Sequence, residues 1–159
     1  MIKAQNLAQE QRIAMGAGWI IENLDLSFKC GIVHFPSSTR PELIAILTAL
    51  LAISLNMFVT IYTDSQAVIN GINGIMSMKS TRQILKMMNH SILSVIKQLI
   101  LTKDVEFKMV KVKGHSGVLY NEKADIIAKE VAAQVMDGTL GVIDLVDSKV
   151  GHRINFYLT

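Results

Sequence analysis

The sequence predicts a single domain of the α/β or α+β class, and three observations predict it. Residues 58–63 (Phe-Val-Thr-Ile-Tyr-Thr) form a β-branched and aromatic run, the composition of a strand. Asp64 and Ser65 follow directly, and Ala67, Val68, Ile69 and Ile72 then recur at helical spacing. Residues 24–33 alternate, with Leu24, Leu26, Phe28, Cys30 and Ile32 set against Asp25, Ser27 and Lys29, the period-2 mark of a half-buried strand. Taken along the chain, strands and helices interleave as β-β-α-β-α-α-β-α.

The bounds agree. A chain of 159 residues makes one ordinary domain with a core of its own. Half of it is hydrophobic and the mean hydropathy is +0.37. The longest apolar stretch, 43–55, is interrupted by Thr48 and Ser54 and is too short to span a bilayer. Residues 1–11 are polar, unlike the apolar core of a secretion signal. The single cysteine, Cys30, rules out an internal disulfide framework and a cysteine-rich zinc site, and an intracellular setting, nucleus or cytoplasm, is expected. Cys30 itself reads as a small hydrophobe in a strand. A net charge of +3 and a pI near 9.0 are compatible with a polyanionic partner without requiring one.

Taken in order, residues 13–21 (Ile-Ala-Met-Gly-Ala-Gly-Trp-Ile-Ile) read as a strand whose small residues let another backbone approach. Glu22 and Asn23 make a turn, so this strand and 24–33 form an antiparallel hairpin. Thr39-Arg40-Pro41-Glu42 has the form of a capping box with proline in the first turn. The helix it opens, to about Ser54, has little polar face and is expected to be largely buried. After the central strand, the helix from Ser65 is expected to end at Gly71 and Gly74. A further helix, capped by Ser80 or Thr81, lines up Ile84, Leu85, Met88, Ile92, Val95, Ile96 and Leu99 on one face. Residues 105–112 read as a strand whose apolar phase changes midway, through a bulge or two-sided burial. Lys113-Gly114-His115-Ser116-Gly117 is a glycine-bracketed loop, and a helix over about 119–135 follows. Residues 138–159 read as an extension of unknown function, a helix and then an extended segment, after a domain of 1–137.

Three acids stand at element edges: Glu42 in a first helical turn, Asp64 at a strand end, Asp125 near the start of the helix after the loop. Such edges converge at one face of a sheet. Crowded carboxylates raise one another's pKa unless a cation neutralises them, and their hard oxygens suit Mg²⁺ or Mn²⁺. Each also has a plainer reading: Glu42 as a capping-box acid, Asp64 as an N-cap, Asp125 as a solvated helix acid. His115 reads either as a proton carrier in a flexible loop or as a surface histidine in a turn.

Ser-Ser-Thr-Arg-Pro-Glu-Leu (37–43), Tyr-Thr-Asp-Ser-Gln-Ala (62–67), Val-Lys-Gly-His-Ser-Gly (112–117) and Asn-Glu-Lys-Ala-Asp (121–125), in that order and spacing, resemble the type 1 ribonuclease H domain. Gly16-Ala17-Gly18-Trp19 is similar to that family's second strand. The resemblance covers about residues 13–133 and looks closest to the domains attached to reverse transcriptases of non-LTR retrotransposons. It implies a five-stranded mixed sheet flanked by helices. It also implies cleavage of the RNA strand of RNA–DNA hybrids, with four carboxylates holding two Mg²⁺ (or Mn²⁺) ions for in-line displacement that leaves a 5′-phosphate. Glu42, Asp64 and Asp125 match three of those ligands, and His115 matches the mobile histidine that assists proton transfer or product release. Ser65 and Gln66 match positions that contact the hybrid, and Asn121 lies in the active-site loop; Thr39 and Lys113 are expected at the hybrid as well, with Lys111 adding charge beside Lys113. The implied protein is a monomer with no membrane association, part of or derived from a reverse-transcriptase polyprotein.

The departure lies at the family's first strand, which ends in Asp-Gly-Ser with an aspartate bridging both metals. Here residues 1–7 are Met-Ile-Lys-Ala-Gln-Asn-Leu, and no aspartate precedes Asp25. Ala4 or Asn6 falls nearest the missing position, and Glu10 lies too close to Gly16 to substitute. The expectation is therefore a chain truncated relative to an active parent or a copy that has decayed, with impaired activity. The alternative is a non-catalytic nucleic-acid-binding module of the same fold. Pro41 before Glu42 also departs from the family's usual small residue, though a first-turn proline is tolerated.

Overall fold

The computed structural model describes residues 14–21, 26–33, 37–113 and 153–158, with Lys123, Ile126 and Glu130 as helical residues between them. Residues 1–13, the histidine loop and the rest of the expected 119–135 helix lie outside the described residues. Five strands, β1 (Ala14–Ile21), β2 (Ser27–Val33), β3 (Phe58–Thr63), β4 (Glu106–Lys111) and β5 (Arg153–Leu158), form one mixed sheet in the order β2-β1-β5-β3-β4. The expected hairpin is present: β1 and β2 are antiparallel, with Gly16 opposite Gly31 and Trp19 opposite Phe28. The expected five-stranded mixed α/β sheet is therefore the observed one.

The middle of that sheet is β5. It runs antiparallel to β1 (Ile20 opposite Tyr157) and parallel to β3 (Ile61 opposite Phe156). The composition of residues 138–159 suggests an extension, yet residues 153–158 tie the two halves of the sheet together. Asn-Phe-Tyr-Leu is strand-like in composition, and what a short run cannot declare is which strands it will join.

Helix α1 (Thr39–Ala52) lies against the sheet and against α4 (His90–Thr102). Its near-uniform apolarity follows from that position, since Leu43, Ala45, Ile46, Ala49 and Leu50 are all buried. They meet Ala17, Trp19, Phe28, Val59, Ile61, Ile96 and Phe156 in one core. Trp19 stacks with Phe28 at 5.6 Å and meets Phe156 edge-on at 5.1 Å between ring centroids. Its indole N–H donates to Thr48 Oγ1 at 3.1 Å, which gives the one hydroxyl in this apolar stretch of α1 a purpose. Lys103 closes the other end of α1, donating through Nζ to the carbonyls of Leu50 (2.8 Å) and Ile53 (2.7 Å), groups that a helix terminus otherwise leaves unpaired.

Two helix boundaries differ from expectation. Helix α2 (Gln66–Ser77) runs through Gly71 and Gly74. A Cβ at Gly74 would stand 3.2 Å from Met87 Cε, a tight approach, whereas one at Gly71 would meet a Leu93 methyl at 3.6 Å, an ordinary contact; close packing accounts for Gly74, and neither glycine ends the helix. The helix expected from Ser80 onward is two, α3 (Thr81–Ile84) and α4, separated at Asn89, whose φ of 58° is left-handed. Asparagine tolerates that conformation, and Arg40 Nε donates to its Oδ1 at 2.9 Å. Leu85 and Met88 consequently leave the apolar face and are exposed. In β4, pairing with β3 is unbroken from Glu106 to Lys111, so the phase change reflects two-sided partial burial of Met109 and Val110 and no bulge. Glu106, Lys108 and Lys111 are exposed on this edge strand, charges that discourage further strand pairing.

Candidate active site

Period-2 alternation sends Val59, Ile61 and Thr63 of β3 into the core. Thr63 is therefore a polar residue at an apolar position, 1% exposed, and burial obliges its hydroxyl to find partners. It accepts from the backbone N–H of Ser65 at 3.1 Å and donates to Glu42 Oε2 at 2.5 Å. This one hydroxyl joins the end of β3 to the first turn of α1. Asp64 follows on the surface, close enough for its charge to act on Glu42.

Neither described carboxylate is a helix cap. The N-cap of α1 is Ser38, whose side chain makes no capping hydrogen bond, and the Glu42 carboxylate takes the Thr63 hydroxyl. The N-cap of α2 is Ser65, whose Oγ accepts from the N–H of Val68 at 3.3 Å. The plainer readings of Glu42 and Asp64 therefore fall away, and two acids stand at one edge of the sheet without a capping role.

Burial is the largest influence on Glu42 and lifts its carboxyl to about 7; the Thr63 hydrogen bond opposes this, and the Asp64 charge adds to it. A carboxyl raised from 4.5 to about 7 on folding keeps its proton in the folded chain across that interval. Its contribution therefore favours the folded state at low pH and is lost as pH rises through the interval, by about 3 kcal/mol in all. Glu42→Gln retains a hydrogen-bond acceptor for Thr63 and cannot ionise. In chelator, its unfolding free energy should exceed that of the unmodified chain at pH 8 and converge with it near pH 5. Parallel stability curves for the two proteins would refute the assignment.

The other anticipated residues divide in two. Thr39 opens α1, half-buried, and Lys113 is exposed just beyond β4. Gln66 begins α2, where its Oε1 accepts from Lys111 Nζ at 3.0 Å and its Nε2 donates to Asn70 Oδ1 at 3.0 Å. Asp125, His115 and Asn121 lie outside the described residues. His90 starts α4, with Nδ1 3.3 Å from the carbonyl of Met87, a local contact remote from any role in chemistry. Sequence reasoning missed Thr63 and Asn70. A threonine that interrupts the inward series Val59, Ile61 directly before an aspartate was the available signal for the first; Asn70 gave none beyond its i, i+4 spacing from Gln66.

Residues 6–133 match the RNase H family. The chain belongs to it. Among solved structures, this RNase H chain is similar to the prototype foamy virus protease–reverse transcriptase in its native form, at 14% identity and a TM-score of 0.47. That similarity covers 84% of this chain and 21% of the viral one, so the chain spans about a fifth of that relative's length. No curated protein matches. The RNase H match stops short of β5, so the central strand of the sheet lies outside the matched residues.

Glu42 and Asp64 suit a hard divalent cation in kind: both offer oxygen donors, and the Asp64 charge disfavours ionisation of Glu42. Among the described residues they stand as a pair, with no group of three potential metal ligands.

Proposed function

We propose that this RNase H chain is a divalent-metal-dependent endoribonuclease acting on the RNA strand of RNA–DNA hybrids. The observation that carries this reading is the pairing of Glu42 and Asp64 through Thr63, in a chain of this family. Glu42 and Asp64, with Asp125, would hold Mg²⁺ or Mn²⁺; bound there, such ions supply charge neutralisation for phosphoryl transfer. Thr63 fixes the Glu42 carboxylate, His115 is the proton carrier of the loop, and Thr39, Ser65, Gln66, Lys113 and Asn121 hold the hybrid. Preference for RNA rests on reading 2′-hydroxyls in the shallow groove. We place the chain with the RNase H domains of non-LTR retrotransposon reverse transcriptases, as a monomeric, intracellular part or derivative of such a polyprotein. The test is cleavage of a hybrid labelled in its RNA strand, with Mg²⁺ or Mn²⁺, against duplex DNA and duplex RNA; cleavage confined to the hybrid supports the reading, and cleavage unaffected by chelator refutes it.

A second reading has an observation of its own. The strand beside β3 toward the sheet centre is β5, and Arg153-Ile154-Asn155-Phe156-Tyr157-Leu158 contains no carboxylate. A site with fewer acids binds cations more weakly, and the same domain would then act as a non-catalytic module for nucleic acid. Both readings require salt-sensitive binding. With Lys111 and Lys113 each neutralising one phosphate, affinity for hybrid should fall about tenfold between roughly 50 and 200 mM salt. Affinity that stays level across that range in an anisotropy titration would remove the electrostatic basis of either reading.

A further inference from the structure

A line of three side chains runs beside Asp64, from the end of β4 across the first turns of α2. Lys111, opposite Thr63 in the sheet, donates to Gln66 Oε1, and Gln66 Nε2 donates to Asn70 Oδ1, each at 3.0 Å. The direction of this chain of bonds is dictated at one end. A lysine ammonium can only donate, so it takes the oxygen of the Gln66 amide. The Gln66 nitrogen must then face Asn70 and take its oxygen, which leaves the Asn70 NH₂ at the outer end. The remaining hydrogen-bonding hydrogens of all three, on Lys111 Nζ, Gln66 Nε2 and Asn70 Nδ2, are donors. Without Lys111, either amide would turn freely and present oxygen as readily as nitrogen.

We propose that Lys111 and Asn70 are positioning residues that polarise Gln66, making the three side chains a donor ridge for the phosphate oxygens of a bound nucleic-acid strand. This rests on the nucleic-acid reading above and deepens it. A donor-rich ridge carrying one positive charge suits an acceptor-only, negatively charged backbone. Its central member, Gln66, also lies two residues from Asp64 along the chain, where a strand offered for cleavage must be held in register.

The test is binding of an RNA–DNA hybrid, by anisotropy across a salt series, to the full chain and to variants at Asn70 and Lys111. Asn70→Ala shortens the ridge and should weaken binding about threefold, the value of one ordinary hydrogen bond. Asn70→Asp still accepts from Gln66 but turns an oxygen and a negative charge outward, and should weaken binding on the order of tenfold. Lys111→Arg preserves the donor polarity and should bind like the unmodified chain. Lys111→Met should lower the salt slope by about 0.9, and should also bring together the two Gln66 side-chain NH resonances that the fixed amide keeps apart. Lys111→Glu inverts the ridge and should bind more weakly than Lys111→Met. Thermal unfolding should be unchanged for all five, since these side chains are at the surface. Equal binding by Asn70→Ala and Asn70→Asp, or no separation between Lys111→Arg and Lys111→Met, overturns the ridge while leaving the nucleic-acid reading intact. Failure of the unmodified chain to bind hybrid at any salt overturns both.

Discussion

Hydrolysis of hybrid RNA should fall by on the order of 100-fold or more when Asp64 becomes asparagine, the scale set by removing a preorganised charge from a phosphoryl-transfer site. Asparagine keeps the shape of the side chain and loses the anion, and Asp64 is exposed at the end of β3, so the chain should still fold. The same change removes the like charge beside Glu42, and the addition of Mg²⁺ should stabilise the unmodified chain but not this variant. Undiminished cleavage by Asp64→Asn would refute the assignment of the site. The reverse experiment adds an acid. Ala4→Asp or Asn6→Asp, at the positions nearest the expected first-strand carboxylate, is expected to raise metal-dependent cleavage of hybrid, and no gain from either variant would refute that placement.

Phe156→Ala should cost about 3–5 kcal/mol of stability, the range for emptying a fully buried aromatic site. Phe156 is 0% exposed, lies between β1 and β3, and meets the Trp19 ring edge-on. Because a domain of this size has only about 5–15 kcal/mol in hand, urea unfolding should begin at far lower denaturant, or the protein should not accumulate. Met88→Ala, at a position 85% exposed, should change stability by less than about 0.5 kcal/mol. A small effect at Phe156 would mean that β5 is dispensable to the sheet in solution.

Local pattern made much of this molecule legible. Alternation in residues 24–33 and the run 58–63 announced their strands, because each side chain's face is set by its own position. The all-round apolarity of α1 announced burial between layers. Glu42 and Asp64 were legible as acids at element ends, which is where topology gathers ligands. What escaped depends on partners distant in sequence. Gly74 looks like a helix stop until Met87 is seen against it. Asn89 breaks a convincing apolar stripe because one residue there is left-handed. Thr63 looks like strand composition until Glu42 is found above it. For β5, composition speaks of a strand and is silent on its neighbours, so its place between β1 and β3 emerges only from the assembled sheet.

That place has a kinetic consequence. During synthesis β5 is made after all four strands that surround it, and Ile20 of β1 waits for Tyr157. Until then β1 and β3 each show a line of unpaired backbone groups, and Trp19, Ile61 and the underside of α1 lack the ring that fills the space between them. Contacts of such sequence separation close slowly, and a nascent chain with two open strand edges is prone to pair with other chains. Yield in the cell should therefore depend on how well the first four strands are shielded while the last one is being made.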